Sequence, residues 1–495
     1  MRTERRPGVS VLCVVVLLTV LAFVSIGCAA DTYTVCPGGG CDYNSIQAAI
    51  DAAEAGDTIA VYSGTYYETV TVPRQLTVKG MDTGGGNPVV DARGRGSAIT
   101  LAHDGGLLDG LTVVNATGYQ QAGILVYSNS STISNCIAAN CYYGIWLAAS
   151  CNNTLTGNTA HANDDFGIYL SSASNNTLTG NTAHANIDVG ICLRSGSNNN
   201  TLTGNTASDN CYGNGIYLDA SSYNYLADNT ASNQSNGLYL DSSSSYNTLT
   251  GNTVSKNYLG LYLRHASYNA LTGNAANANS NVGIRLAYSS DNSLTSNAAS
   301  FNSNGGIRLD SSDCNSLTSN AVSYNTDGIR LTGSSYNNVS GNTVARNEEG
   351  IALIASSNNC LTDNVVSNNS VGLHLDHACS GNLIYNNYFE NPVNAHDTGT
   401  NSWNRTRTAG TNRVGGPFSG GNYWHDYTGE DTNGDGLGDT LLPYTAAGHI
   451  RTGGDHLPLV EAEATAPVPG YGAIAAVLGC VALLVLLRRR HTCGR

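Results

Sequence analysis

The 495-residue chain carries a net charge of −14, and only 12% of its residues are charged. Setting aside Arg2, Glu4, Arg5, Arg6, Arg488, Arg489, Arg490 and Arg495 near its two ends leaves fifteen basic against thirty-five acidic side chains, a balance of −20. That argues against nucleic acid as a partner, because phosphate backbones are bound by basic patches, and the register in which Ile, Leu and Val recur argues against a disordered chain.

In chain order, Arg2, Arg5 and Arg6 precede an apolar run at 9–26 and the small residues Gly27, Cys28, Ala29 and Ala30. This is the layout of a secretory signal over residues 1–30, cut near Ala30; a lipid-bearing Cys28 is the competing reading. Residues 31–122 are predicted to form an N-terminal cap and irregular first coils. Cys36 and Cys41 flank Pro-Gly-Gly-Gly and are expected to pair. Residues 42–53 read as an amphipathic helix capped by Asn44 or Ser45 and ended by Gly56. A strand and turn follow at 57–66. The phrase SIQAAIDAAEAGDTIAVYSGTYYETVTV, residues 45–72, resembles the opening of pectate-lyase-like β-helix proteins. The resemblance implies that the helix plugs the N-terminal end of a coil stack, where core and strand edges are otherwise exposed.

Residues 123–400 repeat. A Gly-Ile/Leu anchor recurs twelve times, from Gly123 and Gly144 to Gly350 and Gly372, in steps of 21 to 25 residues. An Asn row runs in phase from Asn135 and Asn158 to Asn386. A second follows five residues later, from Asn163 to Asn369, with Gln234 as its one exception. A fixed period of this length signals a solenoid. Gly-Ile-x-Leu and Leu-Thr-x-Asn alternate as strands do, and Gly, Asn and Ser are poor helix formers. The expected fold is therefore all-β, a right-handed parallel β-helix of about twelve regular coils of 22–23 residues with an N-terminal capping helix. Inward Ile and Leu should stack, and Asn amides should hydrogen-bond along the stack.

The variable residue of Gly-Ile-x-Leu should point outward. Down the stack it reads Trp146, Tyr169, Cys192, Tyr217, Tyr239, Tyr262, Arg285, Arg308, Arg330, Ala352 and His374. Aromatic rows stack on sugar rings and arginines pair with carboxylates or sulfates, so this strip is the candidate glycan contact. Asp219, Asp241 and Arg264, two positions on, are the candidate acids and base of a lyase or hydrolase. His161 and His184 are expected as stacked, exposed turn residues, with Asn210 ending their row, and the histidines are expected to form no cluster suited to copper. Nine N-x-[ST] sequons, among them Asn152, Asn175 and Asn199, are candidate glycan attachment sites.

Repeats stop in the closing segment, 401–460. Asp431, Asn433, Asp435, Leu437 and Asp439 have the D-x-[DN]-x-[DN]-G spacing of a calcium loop, with Gly436 allowing the sharp turn; Leu442 stands where an EF-hand has Glu. The phrase GNYWHDY at 421–427, the Asp/Gly-rich loop, Pro443-Tyr444 and Asp455-His456-Leu457-Pro458-Leu459 resemble the end of NosD-like β-helix proteins. That resemblance implies a copper-related periplasmic role. Residues 461–471 read as a linker and 472–495 as a transmembrane or sorting tail. Pro469, Gly470 and Tyr471, an apolar run and three arginines resemble the PGF-CTERM tail of archaeal surface proteins, with Tyr for Phe. This implies removal by an archaeosortase and lipid anchoring; an ordinary membrane span is the alternative. The sequence thus suggests a surface-anchored structural or adhesive rod contacting an envelope or extracellular polysaccharide. A polysaccharide lyase or hydrolase and a NosD-like copper accessory protein are the alternatives.

Overall fold

The structure, a computed structural model, describes residues 30–461. The expected signal before Ala30, the sorting residues Pro469, Gly470 and Tyr471 and the apolar tail lie outside the described residues. Among the described residues no helix is long and apolar enough to cross a membrane.

The chain winds into a right-handed parallel β-helix of about sixteen turns. Three parallel sheets of seventeen, fifteen and sixteen strands run its length. One coil shows the pattern: Thr248–Thr250, Thr253–Ser255 and Leu259–Arg264 contribute one strand to each sheet. Each pairs with its counterpart one coil on, so Leu249 sits over Leu271, Val254 over Ala276 and Leu263 over Leu286. Leu249, Val254, Leu261 and Leu263 are fully buried. Each such side chain stabilises the fold by ~1.5–3 kcal/mol.

Buried asparagines hold the coils together. Asn158 Nδ2 donates to Asn181 Oδ1 at 3.0 Å, and the same bond repeats coil by coil to Asn387 and Asn422 at 2.9–3.0 Å. The expected end members are corrected by one residue. Asn135 and Asn386 occupy left-handed corner positions with φ of 51° and 56°, and the adjacent Cys136 and Asn387 fill the ladder slots. The second ladder runs from Asn163 to Asn391. Gln234 takes its slot and accepts from Asn210 at 2.9 Å, but the bond onward is missing: Asn257 Oδ1 is buried without a partner. A third ladder, from Asn153 to Asn401, is absent from the sequence reading. The anchor glycines follow from these ladders. A Cβ at Gly190 would lie 2.7 Å from Gly215 O and 2.8 Å from Asn210 Nδ2, so any side chain would wedge the coils apart.

The capping helix is Ile46–Ala52, shorter than expected: it ends at Ala53, whose backbone is extended, before Gly56 is reached. Ser45 caps it, and the Glu68 carboxylate accepts from the amides of Ile46 (2.8 Å) and Gln47 (3.1 Å). Ile46, Ala49 and Ile50 plug the core. At the other end, the closing segment buries Trp403 and Trp424. Trp403 Nε1 donates to Asp397 and Trp424 Nε1 to Asp455. Cys36 and Cys41 form a disulfide, while the other eight described cysteines are free.

Candidate functional site

The site is the outer face of the fifteen-stranded sheet that carries the Gly-Ile strands. Its outward residues stand in register from Trp146 and Tyr169 through Cys192, Tyr217, Tyr239, Tyr262, Arg285, Arg308 and Arg330 to Ala352, His374 and His396. The predicted strip therefore exists, with two differences. Cys192 and Ala352 are fully buried, because larger neighbours close over these short side chains. The tyrosines also stack on one another: Tyr217 on Tyr239 at 5.0 Å and Tyr239 on Tyr262 at 4.9 Å, with ring planes 16° and 5° apart. Their faces are occupied by neighbouring rings, so a ligand meets ring edges and hydroxyls rather than flat aromatic platforms.

Below Tyr262 the column becomes ionic. Arg285 Nε lies 2.9 Å and Arg308 Nε 2.8 Å from the two oxygens of Asp310, and Arg330 Nη1 lies 3.1 Å from Asp327. Three guanidiniums thus share two carboxylates, each arginine side chain remaining about 30% exposed. Higher up, Asp219, Asp241 and Arg264 come together on consecutive coils as predicted. Each acid is already matched: Arg194 holds Asp219 at 3.0 Å, and Asp241 accepts from the Tyr239 hydroxyl at 2.6 Å with Arg264 at 3.8 Å.

The sequence reading missed a second acidic pair. Asp165 and Asp188 stand on adjacent coils at the edge of an outer apolar cluster containing Tyr143, Phe166, Val189 and Cys192. Burial, then the charge of Asp188, raises the Asp165 carboxyl to about 6, and burial raises Asp188 in the same direction. Trp146 Nε1, beside this cluster, is buried without a partner. The signal was present in the phase of Asp165-Phe166-Gly167 and Asp188-Val189-Gly190.

Histidines approach one another at one end of the column without forming a metal-holding group among the described residues. His374 and His396 touch at the lower end of the same column, ring centroids 5.3 Å apart, and His449 of the closing segment lies 6.0 Å from His396. His449 is invisible to repeat analysis because it arrives from outside the array. Glu349 Oε1 accepts from His374 Nδ1 at 2.9 Å, which raises the imidazole and lowers the carboxyl. His161 and His184 do stack, at 5.1 Å, but they belong to strands, and Ser208 rather than Asn210 continues their row.

In the closing loop, Asp431 accepts from the amides of Gly434, Asp435 and Gly436. Asp439 accepts from Thr432 and Asn433, and Asp435 accepts from Leu437 N while pairing with Arg407 at 2.8 Å. Asp431, Asn433, Asp435, Leu437 and Asp439 thus share one tight loop. Among the described residues no group of three or more His, Cys, Asp or Glu is placed to hold a metal ion.

The family model for the periplasmic copper-binding protein NosD matches residues 184–282 and 272–429, and that for the right-handed β-helix region matches residues 89–231. No curated protein matches the chain. Among solved structures, the periplasmic alginate epimerase AlgG is 17% identical over 57% of this chain and 76% of its own, with a TM-score of 0.44. The A-module of the Azotobacter vinelandii mannuronan C-5 epimerase AlgE6 is 16% identical over 72% and 92%, with a TM-score of 0.41. The catalytic domain of an alpha-1,3-glucanase is 13% identical over 63% and 64%, with a TM-score of 0.42. These likenesses are too distant to carry chemistry from one chain to another. With the family matches and the parallel coils in agreement, this chain is a NosD-like right-handed parallel β-helix.

Proposed function

We propose that the chain works outside the cytoplasm as a stiff rod, held at the cell surface by its C-terminal segment, whose Gly-Ile face contacts an acidic polysaccharide. The observation that carries this reading is the passage from the tyrosine column into the arginine column at Tyr262–Arg285. Phenol hydroxyls and guanidiniums there repeat at the coil spacing of about 4.8 Å. Three arginines against two acids leave donors for carboxylate or sulfate groups. The export signal and the sorting tail, with an archaeosortase-type enzyme acting at Pro469-Gly470-Tyr471, belong to the same proposal. It is tested by retention on acidic and neutral polysaccharides. Retention of neither, or equal retention of both, removes it.

Two observations support other readings. The Asp165–Asp188 pair supports a polysaccharide hydrolase, since a carboxyl held near neutrality is the acid such chemistry requires; release of new chain ends tests it. The match of residues 184–282 and 272–429 to the NosD family model supports a NosD-like copper role, tested by copper retained after dialysis. Calcium in the closing loop is proposed as a structural ligand on its ligand spacing. Asp435 must leave Arg407 to reach it, and an unchanged melting temperature in chelator removes it.

A further inference from the structure

The outer face of the seventeen-stranded sheet has a different chemistry. Its strands Thr132–Ser134, Thr154–Thr156, Thr177–Thr179 and Thr201–Thr203 lie directly over one another. In each, a buried Ile or Leu points inward and two hydroxyl-bearing side chains point outward. Tyr225–Ala227 interrupts the pattern, Tyr225 standing 43% exposed, and a serine-richer version, with Ala270 as a gap, resumes from Thr248–Thr250 to Ser316–Thr318. Below Asp109, neither outward column of this sheet carries a charged residue.

The array is periodic in two directions. Along a strand, outward neighbours are about 6.7 Å apart, and between coils about 4.8 Å. The Asn ladders hold this register from coil to coil, because each amide meets the one directly above it. Threonine adds stiffness: β-branching restricts χ1, so hydroxyl and methyl positions repeat from coil to coil. In the lower block the fixing is weaker, since serine rotates freely and the hydroxyls of Ser316 and Thr318 turn to each other at 3.2 Å.

An uncharged, in-register lattice of hydroxyls and methyls has no pocket for a small ligand and no charge for a polyelectrolyte. What it matches is ordered water. The repeats of hexagonal ice within and perpendicular to its basal plane lie close to the two spacings of this array. Methyls between the hydroxyls order water around them while the hydroxyls anchor it. We propose that this face binds ice, with the four strands from Thr132 to Thr203 as the primary surface and Tyr225 as the element that limits its extent.

The test uses the full-length protein and reads ice-crystal shaping, thermal hysteresis and inhibition of recrystallisation. Wild type should shape ice. Thr179→Tyr and Thr203→Tyr, each placing a ring in the lattice, should abolish shaping with an unchanged circular dichroism spectrum and melting temperature. Tyr225→Thr should join the two blocks and raise hysteresis. Ser232→Tyr, on the neighbouring sheet, should leave shaping intact. Absence of shaping by wild type overturns the proposal, as does shaping by Thr179→Tyr equal to wild type. Retention on crystalline polysaccharide without any ice activity overturns it as well. Because polysaccharide contact is assigned to another face, Thr179→Tyr leaves that property unchanged, and the two readings fail separately.

Discussion

The Gly-Ile face and the Leu-Thr face are built on one frame and share no chemistry. Both present outward residues at the same spacing over the same coils. One carries a tyrosine column, an arginine column and several ion pairs; the other, from Thr132 on, carries no charge. The difference teaches that the frame does not depend on its outward positions. Core aliphatics, ladder asparagines and anchor glycines fix the coil, which leaves each face free to acquire its own partner.

The largest effect should come from breaking what the two faces share. Asn297 Nδ2 donates to Leu271 O and Asn320 Oδ1, and its own Oδ1 accepts from Asn274 N and Nδ2. Asn297→Leu orphans buried donors at ~1–3 kcal/mol each, so chemical denaturation should show a loss of ~3–5 kcal/mol and both faces should lose their binding together. Asp455→Ala strips acceptors from Asn422 N, Trp424 Nε1 and Leu457 N. It should cost ~3 kcal/mol and raise amide exchange in the closing segment before the middle of the rod.

Changes confined to one face should separate the two. Arg308→Ala should weaken acidic-polysaccharide binding about tenfold while stability moves by less than ~0.5 kcal/mol; ice shaping should not change. A pH effect should come from two places, Asp165 on the upper part of the Gly-Ile face and Asp455 in the closing segment, which burial also raises to about 6. Asp165 titrates near 3.8 when unfolded and at about 6 in the fold. Folding therefore takes up a proton between those values, and stability falls as pH rises through that window. Asp165→Asn should reduce the slope of the melting temperature against pH there, the remainder belonging to Asp455. The smallest effect is expected from chelator, a drop of a few degrees confined to the closing segment.

Much of this frame is legible in the sequence, because a period of 22–23 residues turns a three-dimensional contact into a recurring letter. Gly190, Leu202 and Asn205 can be placed inside or at a corner from phase alone. The ladder beginning at Asn153 escaped because its asparagines sit beside others, as in Asn175-Asn176 and Asn198-Asn199-Asn200, and phase alone does not say which one turns inward. The faces were harder. Outwardness was correct for Tyr239, but that its ring lies against Tyr217 and Tyr262 depends on rotamers. Cys192 and Ala352 were expected to be exposed and are covered by longer neighbours. His449 joined the column from a segment with no repeat to place it.

The most direct test of the central claim is equilibrium binding of wild type and of the Arg285→Ala, Arg308→Ala, Arg330→Ala triple variant to matched acidic and neutral polysaccharides at low and high salt, with chain ends assayed in the same samples. The account predicts that wild type retains the acidic polymer only, that salt and the triple variant each release it, and that no new chain ends appear. Binding that is indifferent to both charge and salt, or that survives loss of all three arginines, would contradict it.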